Sequence, residues 1–393
     1  MKKNLIGVAV ATLVASFATA ASAQSSVTLY GLVDAGLTYV NNVQSPAGSG
    51  TMKSSQFGMN GGNVQMSRWG LRGAEDLGGG MKAIFTLESG FDVANGSSLG
   101  GSNSMFGRQA FVGLSSGFGT VTLGKQTDSV TDYLGPVSAT GTWGGTYFAH
   151  PGNLDNLNGD AFRLNNSVKF QSANYSGLTF GGSYAFSNTA GSFAANRAYS
   201  AGVGYANGPL KAGAAYTQSN GANSNGAGAI TGGSPTISFA NGYTSLANVN
   251  DLRLRTFGAG ASYSIGAVTF GGLWSQVRQD ANSVDGKVVD NNIEVNGRYA
   301  LTPALAIGAA YTFTLSKVTY GGGDGSNIVR YHQFGLQTDY ALSKRTDIYA
   351  EGVVQLASGL DKGEYPTARI GGFSTASSSG RQVLVTTGIR HRF

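Results

Sequence analysis

The sequence predicts an all-β fold, a 16-stranded antiparallel transmembrane β-barrel, on three observations. Apolar and polar residues alternate with a period of two through sixteen segments of about ten residues each. Short and long connections alternate between these segments. Glycine accounts for 62 of the 393 residues and only 12% are charged, against about 7% glycine and about 25% charged residues in typical proteins. We therefore expect one large closed sheet with short periplasmic turns and long external loops.

The composition argues against three other classes of protein. Disordered chains hold few aromatic residues, but this chain has 20 Phe and 18 Tyr. A cytosolic helical enzyme would contain more Lys, Glu and Leu and far less Gly. A helical membrane protein needs several apolar runs of about 20 residues, and no mature segment supplies one. Cysteine is absent, so disulfides do not contribute to stability.

Residues 1–23 have the features of a secretory signal peptide. Lys2 and Lys3 give a positive start, an uncharged and mostly apolar run of 13 residues follows, and Ala21-Ser22-Ala23 forms a small-residue cleavage site. The alternative is a retained helical anchor, for which the run is short. We expect a signal peptide over 1–23 and a single β-barrel domain over 24–393, located in the outer membrane of a Gram-negative cell.

Each segment has one apolar face and one polar face that suits contact with water. In Leu305–Leu315, for example, large apolar residues occupy every second position and Ala, Gly and Thr occupy the others. Soluble β-sandwiches alternate in the same way, so alternation alone leaves both possibilities open. The predicted strands are 27–39, 65–74, 81–92, 106–115, 120–127, 162–172, 177–187, 198–206, 209–218, 254–264, 267–278, 289–300, 304–316, 328–341, 346–356 and 382–393.

The connections and a repeated tyrosine favour the membrane. Stretches such as 115–119 and 342–345 are short, whereas 40–64, 128–161 and 219–253 are long, which matches the two ends of an outer-membrane barrel. A tyrosine precedes four of the short turns at a shared offset and on the apolar parity. Such a ring predicts an interfacial girdle. The four residues are Tyr205, Tyr263, Tyr299 and Tyr340.

The mature chain resembles the general porins of the Gram-negative outer membrane, most of all those of β-proteobacteria. The most specific stretches are SSVTLYGLVDAG (25–36), SRWGLRGAEDLGGGMKAIFTLE (67–88), RQAFVGLSSGFGTVTLGKQ (108–126) and NNSVKFQSANYSGLTF (165–180). The resemblance implies a homotrimer, a third external loop at about 128–161 that folds inward, and recognition of the terminal Phe393 by the barrel-assembly machinery. It also implies passive diffusion of ions and small hydrophilic solutes through a water-filled channel in outer-membrane lipid.

Parity and the resemblance together select the charges of the channel. With Trp69 and Leu71 facing lipid, Arg68 and Arg72 face inward; Leu164 on the lipid side places Arg163 inward. Phe111 is assigned to lipid, which leaves Arg108 inward. The predicted basic wall of the constriction is Arg68, Arg72, Lys82, Arg108 and Arg163, and the opposing loop acids are Asp128, Asp132, Asp155 and Asp160. Inward bases outnumber inward acids, which favours a weak anion preference.

Other functions have less support in the sequence. His150, His332 and His391 are far apart and lack ligand spacing, so we expect no metal and no cofactor. No nucleophile motif stands in a suitable context, so we expect no enzyme. The mature net charge of about +4 does not suggest nucleic-acid binding. Two alternatives remain open: a substrate-selective outer-membrane channel, and a barrel adhesin acting through its long loops.

Overall fold

The computed structural model describes most of the chain. The described residues are 26–45, 52–99, 104–191, 193–221, 228–230, 252–281, 285–319, 326–360, 366–373 and 375–393. The predicted signal peptide over 1–23 lies outside them. Among the described residues, no helix is long and apolar enough to cross a bilayer.

The described chain is almost entirely β-structure, with one short α-helix, α1 (Ser129–Tyr133). The strands are β1 (Ser26–Ser45), β2 (Met52–Gly61), β3 (Arg68–Gly78), β4 (Met81–Phe91), β5 (Ser98–Leu99), β6 (Gln109–Ser116), β7 (Gly119–Gln126), β8 (Leu164–Ser172), β9 (Leu178–Ala185), β10 (Ala198–Asn207), β11 (Leu210–Asn220), β12 (Leu252–Ile265), β13 (Val268–Ala281), β14 (Gly286–Ala300), β15 (Leu305–Thr319), β16 (Ser326–Ala341), β17 (Thr346–Leu360) and β18 (Arg381–Arg392).

These segments form one closed antiparallel barrel of sixteen strands, as predicted. The barrel closes because β1 pairs with β18, from Leu32 opposite Arg392 to Val40 opposite Leu384. β2 and β3 are two halves of a single barrel strand: β1 pairs with β3 through its first part and with β2 through its second. The two-residue β5 pairs only with the end of β4. Among the described strands, closure leaves no unpaired sheet edge, which a bilayer requires.

The strand halves β2 and β3 differ from the sequence prediction. We expected residues 40–64 to form a loop, but Met52–Gly61 is a strand. The break between the halves is held by Asp34, whose Oδ2 accepts hydrogen bonds from the backbone N–H groups of Val64 at 2.8 Å and Gln65 at 2.7 Å. Because β2 is rich in Ser and Gly, its weak alternation did not reveal it.

Burial is inverted relative to a soluble protein. Large apolar side chains on the outer parity are exposed, such as Leu336 at 66% and Val295 at 55%, whereas inward polar side chains such as Glu294 at 1% are buried. A soluble protein does not expose so continuous an apolar surface. The predicted tyrosine girdle lies on the same outer face, with all four rings exposed. The outer face is therefore the hydrocarbon-contacting surface.

Two parity assignments are wrong. Leu164 is fully buried inside the barrel, because Asn166 adopts a positive φ of 52° and interrupts the alternation of β8. On β6, Val112 and Leu114 are exposed at 59% and 57%, so the outer face carries the even positions and Phe111 faces the lumen. Phe111 stands opposite Thr86, on the same row as the inward Arg72.

The apolar cores lie inside the barrel, beneath segments that fold into it. One core joins Tyr133, Leu134 and Leu157 to the inner-wall residues Ala215 and Leu273. A second packs Tyr147 and Phe148 of the same loop, and Ile370 of residues 366–373, against the inner wall. A third lies beneath Ile230 of residues 228–230. The predicted inward fold of the loop after β7 is present, and parts of two other connections also enter the barrel.

Candidate functional site

The loop between β7 and β8 crosses the lumen and has defined secondary structure. It contains α1 and three single 3₁₀ turns, at Gly135–Val137, Thr146–Phe148 and Pro151–Asn153. We call residues 127–163 the inward loop. Asp128 starts it as the N-cap of α1, its Oδ1 accepting a hydrogen bond from the Thr131 N–H at 2.9 Å. Burial raises the pKa of Asp128, and only 1% of the residue is exposed.

Inner-wall glycines make room for the aromatic side chains of this loop. A Cβ on Gly202 would lie 2.4 Å from Cδ2 of Tyr133, and one on Gly308 would lie 2.4 Å from Cζ3 of Trp143. Both distances are shorter than packed carbon atoms allow. The loop can therefore lie flat against the wall only where the facing residue is glycine.

A buried histidine fastens the loop to β14. Nδ1 of His150 lies 2.6 Å from Oδ2 of Asp155, and Nε2 lies 3.0 Å from Oε2 of Glu294. Asp155 also accepts a hydrogen bond from the hydroxyl of Ser275 at 2.7 Å, and Glu294 accepts one from the N–H of Ala139 at 2.8 Å. The group joins two points of the loop to the barrel wall.

The charges of this group support one another. Burial opposes the imidazolium, but the carboxylates of Asp155 and Glu294 raise the pKa of His150 to about 10. Burial likewise opposes the carboxylate of Asp155, and the facing imidazolium overcomes it and lowers the pKa. His150 is therefore charged at neutral pH, and each buried charge has a partner, which such sites require.

An arginine cluster lies on another part of the wall, on β3, β4, the residue before β6 and the C-terminal end of the inward loop. Nε of Arg108 lies 2.8 Å from Oε1 of Glu88, and Arg108 also contacts Oδ1 of Asp160 at 2.9 Å. Arg68 lies 3.7 Å from Glu88, and Arg163 lies 3.6 Å from Asp160. Three guanidinium groups thus face two carboxylates, and one of those carboxylates comes from the loop.

Arg163 and Arg108 reach the cluster from outside the regular strands. Arg163 immediately precedes β8 and Arg108 immediately precedes β6. Their inward position therefore comes from loop geometry, since β6 parity would have directed Arg108 outward. Burial and the neighbouring Arg108 lower the pKa of Arg163 to about 10, which leaves it charged at neutral pH.

The remaining predicted bases lie apart from the cluster. The guanidinium of Arg72 sits over the ring of Tyr30, 5.3 Å from its centre, on the inner wall. Lys82 is exposed beside the turn at Gly79-Gly80, opposite Asp76. It therefore lies near the periplasmic end of the wall, away from the inward loop.

The four predicted acids take three different positions. Asp160 contacts the arginines directly, and Asp132 forms an ion pair with Lys169 of β8. Asp128 and Asp155 are each only 1% exposed and hold the loop in place. The placement of Asp128 and Asp155 differs from the prediction. The carboxylate of Asp128 caps a helix N-terminus and that of Asp155 binds a buried histidine, so neither faces the lumen.

Comparison with known proteins decides the family. A model of the Gram-negative porin family matches residues 9–356. The chain belongs to the Gram-negative porins. An outer membrane porin of Bordetella pertussis is 33% identical to this porin over 90% of the chain and 94% of the relative. Outer membrane porin protein 32 of Delftia acidovorans is 32% identical over the whole of both chains.

Solved structures agree with the barrel. An anion-selective porin from Comamonas acidovorans superposes with a TM-score of 0.69 at 26% identity, covering 94% of this porin and 100% of that chain. OmpT of Vibrio cholerae in a trimer form shares the fold, with a TM-score of 0.62 at 16% identity, covering 94% of this porin and 99% of OmpT. The porin is an outer-membrane diffusion channel and not an enzyme.

Sequence reasoning missed the residues that fix the loop. His150 was considered only as a possible metal ligand, and Glu294 was not among the predicted constriction residues. Within the described residues, no group of acids and histidines could hold a metal ion. A lone His in a long loop that also carries four acids was the available signal, but its two carboxylate partners are 5 and 144 residues away.

Proposed function

We propose that this porin favours anions, and that the arginine cluster sets the preference. The observation that carries the proposal is the charge imbalance: in the described part of the chain, Arg68, Arg108 and Arg163 form ion pairs with only two carboxylates, those of Glu88 and Asp160. Arg72, exposed on the same inner wall, adds a further positive charge. A positive lumen wall raises the local concentration of anions and lowers that of cations.

A related solved structure supports the same sign of selectivity. The Comamonas protein, which matches this porin at 26% identity, is described as anion-selective. In our proposal Asp160 limits the strength of the preference, because it neutralises part of the cluster. Asp132 contributes less, since its charge is paired with Lys169. Lys82, at the periplasmic end of the channel, attracts anions to the entrance.

Reversal potentials of the purified protein in a planar bilayer, under a KCl gradient, test the proposal. Arg108→Ser removes one cation and leaves Glu88 and Asp160 with weaker partners, so the anion-to-cation permeability ratio should fall. One unit charge about 10 Å away in water changes an ion's energy by about 0.4 kcal/mol, or about twofold in permeability. Lys53→Gln, outside the lumen, is the matched control. A cation-selective parent, or an unchanged ratio in Arg108→Ser, would refute the role of the cluster.

We further propose that the chain assembles as a homotrimer. The trimer form of OmpT, which shares the fold, supports this assembly. Light scattering of the detergent-solubilised protein, corrected for bound detergent, should give three copies per particle. A single copy that still conducts in the bilayer would refute the trimer and leave the channel function intact.

Export and membrane insertion follow from the two termini in our proposal. Residues 1–23 direct export and are removed, which N-terminal sequencing of the outer-membrane protein should show as a start at Gln24. Phe393 is the residue read by the barrel-assembly machinery. The residue is 42% exposed, and its parity places the ring on the outer face, where another protein can contact it.

A further inference from the structure

Three buried glutamines lie side by side on the inner wall of the barrel, on β16, β17 and β18. Gln333 is the direct cross-strand partner of Gln355, and Gln355 is the direct partner of Gln382. None of the three is more than 3% exposed. We call them the glutamine row. They contact two segments that enter the lumen: the inward loop, and residues 366–373, which we call the second lumen segment.

The glutamine row connects the backbones of these two segments. The N–H of Arg369 donates to Oε1 of Gln355 at 2.6 Å, and Nε2 of Gln355 donates to Oε1 of Gln333 at 2.8 Å. Nε2 of Gln333 then donates to the carbonyl oxygen of Ala149 at 3.0 Å. Two side-chain amides thus carry a chain of hydrogen bonds from the second lumen segment to the inward loop. Bonds in such a chain strengthen one another, because each amide polarises the next.

The backbone fixes the direction of every bond in this chain. At one end, the N–H of Arg369 can only donate, so the side-chain oxygen of Gln355 faces it. At the other end, the carbonyl oxygen of Ala149 can only accept, so the side-chain nitrogen of Gln333 faces it. Reversing either amide would set two donors or two acceptors against each other. Both positions therefore need a side chain that accepts at one end and donates at the other, which glutamine supplies.

Direct packing joins the two segments at the same place. Gln382 holds the second lumen segment by accepting a hydrogen bond from the N–H of Ile370 at 2.8 Å. Ile370 in turn shares a buried core with Tyr147 of the inward loop. A Cβ on Gly371 would lie 2.9 Å from Cβ of Ala149, so the two backbones approach as closely as their atoms allow. Neither segment can shift far without disturbing the other.

We propose that the glutamine row positions the inward loop and the second lumen segment as one body, so that the two narrow the channel together. Moving either segment alone would leave buried amide groups without partners, which costs free energy. Gln333 and Gln355 are therefore positioning residues of the diffusion path, acting through the segments that they hold. The proposal does not depend on the sign of the ion preference, since these side chains are neutral.

Thiol labelling measures the coupling, because the chain has no cysteine of its own. Ala368→Cys places one reporter thiol in the second lumen segment, at a residue that is fully buried. The folded mature protein in detergent is treated with N-ethylmaleimide, and the labelled fraction is followed by mass spectrometry. Labelling of the reporter protein should be slow, since the reagent reaches the thiol only when the segment opens locally.

Gln333→Met is the decisive change. Within the described residues, the side-chain amide of Gln333 bonds to the inward loop and to Gln355. The substitution therefore releases the loop without removing a hydrogen bond of the second lumen segment. If the row couples the two segments, labelling of Ala368→Cys should nevertheless accelerate, by about fivefold for one lost hydrogen bond between buried groups.

The coupling should also act in the opposite direction. Gln382→Met removes the hydrogen bond from Ile370 and leaves those of Gln333 to the loop in place. The reporter is then Ala139→Cys, at a fully buried residue of the inward loop, and its labelling should accelerate to a similar degree. Gln279→Met is the matched control for both reporters. Gln279 is a buried glutamine of β13 whose amide has no hydrogen-bond partner in the described part of the chain, so both labelling rates should stay unchanged.

Unchanged labelling of Ala368→Cys in Gln333→Met would overturn the proposal, because the second lumen segment would then keep its place without the loop. Equal acceleration in Gln279→Met would also overturn it, since any substitution on the inner wall would then loosen the lumen. Acceleration in one direction only would contradict a single body. Heat-modifiable mobility and conductance in a planar bilayer show that each variant is folded. If Gln333→Met does not fold, the reciprocal pair decides by the same criteria.

Discussion

Nε2 of His150, in the inward loop, lies 3.0 Å from Oε2 of Glu294 on the inner wall of β14. Both side chains are fully shielded from solvent. Because Asp155 holds the other ring nitrogen, a single imidazolium joins two segments of the chain that are far apart in sequence. The contact therefore ties the loop to the barrel wall across the lumen.

Replacing His150 with Gln should loosen the loop. The substitution leaves the carboxylates of Asp155 and Glu294 buried without a cation, and breaking a buried ion pair in this way costs about 3–5 kcal/mol. We expect larger and noisier single-channel currents in a planar bilayer. His332→Gln, on the outer face, is the matched control and should conduct like the parent. Quiet, parent-like currents in His150→Gln would show that the loop is held by other contacts.

The same contact predicts a dependence on alkaline pH. The pKa of His150 is raised to about 10, above the value of about 6.5 in an unfolded chain. The stabilisation is therefore complete below about pH 6.5 and is lost as the pH rises through about 10. We expect current noise to increase between pH 9 and pH 11 in the parent.

The histidine variant separates this effect from other titrations. Tyr and Lys side chains also lose protons at alkaline pH, but they are unchanged in His150→Gln. Its currents should therefore be noisy already at pH 7, with a smaller further change up to pH 11. An identical alkaline transition in parent and variant would assign the pH dependence to another group.

Gly202 should tolerate no large side chain. Leucine at this position would overlap the ring of Tyr133, because a Cβ alone would lie 2.4 Å from that ring. Overpacking of this kind costs about 1–3 kcal/mol, and we expect it to displace α1 and alter conductance. Gly352→Leu is the control, since a Cβ there meets no atom within 4 Å. Equal conductance in both variants would contradict the close packing of the loop.

Replacing Glu88 with Gln should shift selectivity in the direction opposite to Arg108→Ser. Glu88 contacts Arg108 at 2.8 Å and Arg68 at 3.7 Å, so its loss leaves more positive charge on the lumen wall. At about 10 Å in water, one charge changes the permeability of each ion about twofold and in opposite directions, so the anion-to-cation ratio should rise about fourfold. Reversal potentials in a KCl gradient measure it. A shift toward cations would show that Glu88 does not offset the arginines along the ion path.

Phe393 should matter more for assembly in cells than for folding in vitro. Its backbone N–H and carbonyl pair with Gly31 at 3.0 and 3.1 Å, and these bonds survive a change of side chain. Phe393→Ala should therefore refold in detergent to a parent-like, heat-modifiable barrel, while its yield in the outer membrane falls. A parent-like yield in cells would remove Phe393 from the recognition signal. Failure in both settings would make its role purely structural.

Period-two alternation determined most of the barrel, because lipid contact selects apolar residues at every second position regardless of neighbouring strands. It identified sixteen strands, the tyrosine girdle that includes Tyr205, and the inward orientation of Arg68. It failed at β2, at Leu164 and at Phe111. At Leu164 the backbone irregularity of β8 interrupts the alternation. At Phe111 the alternation is ambiguous, because β6 has apolar residues at both odd and even positions.

Local sequence pattern was enough to predict the class of fold, the side of each regular strand that meets lipid, and most of the bases that face inward, because each of these depends on neighbouring residues. The roles of the loop's charges emerged only from the folded chain. Asp155 and Glu294 meet at His150, and Asp160 meets Arg108, through contacts between distant parts of the chain. Those contacts arise when the closed barrel brings its wall around the loop, and no local spacing encodes them.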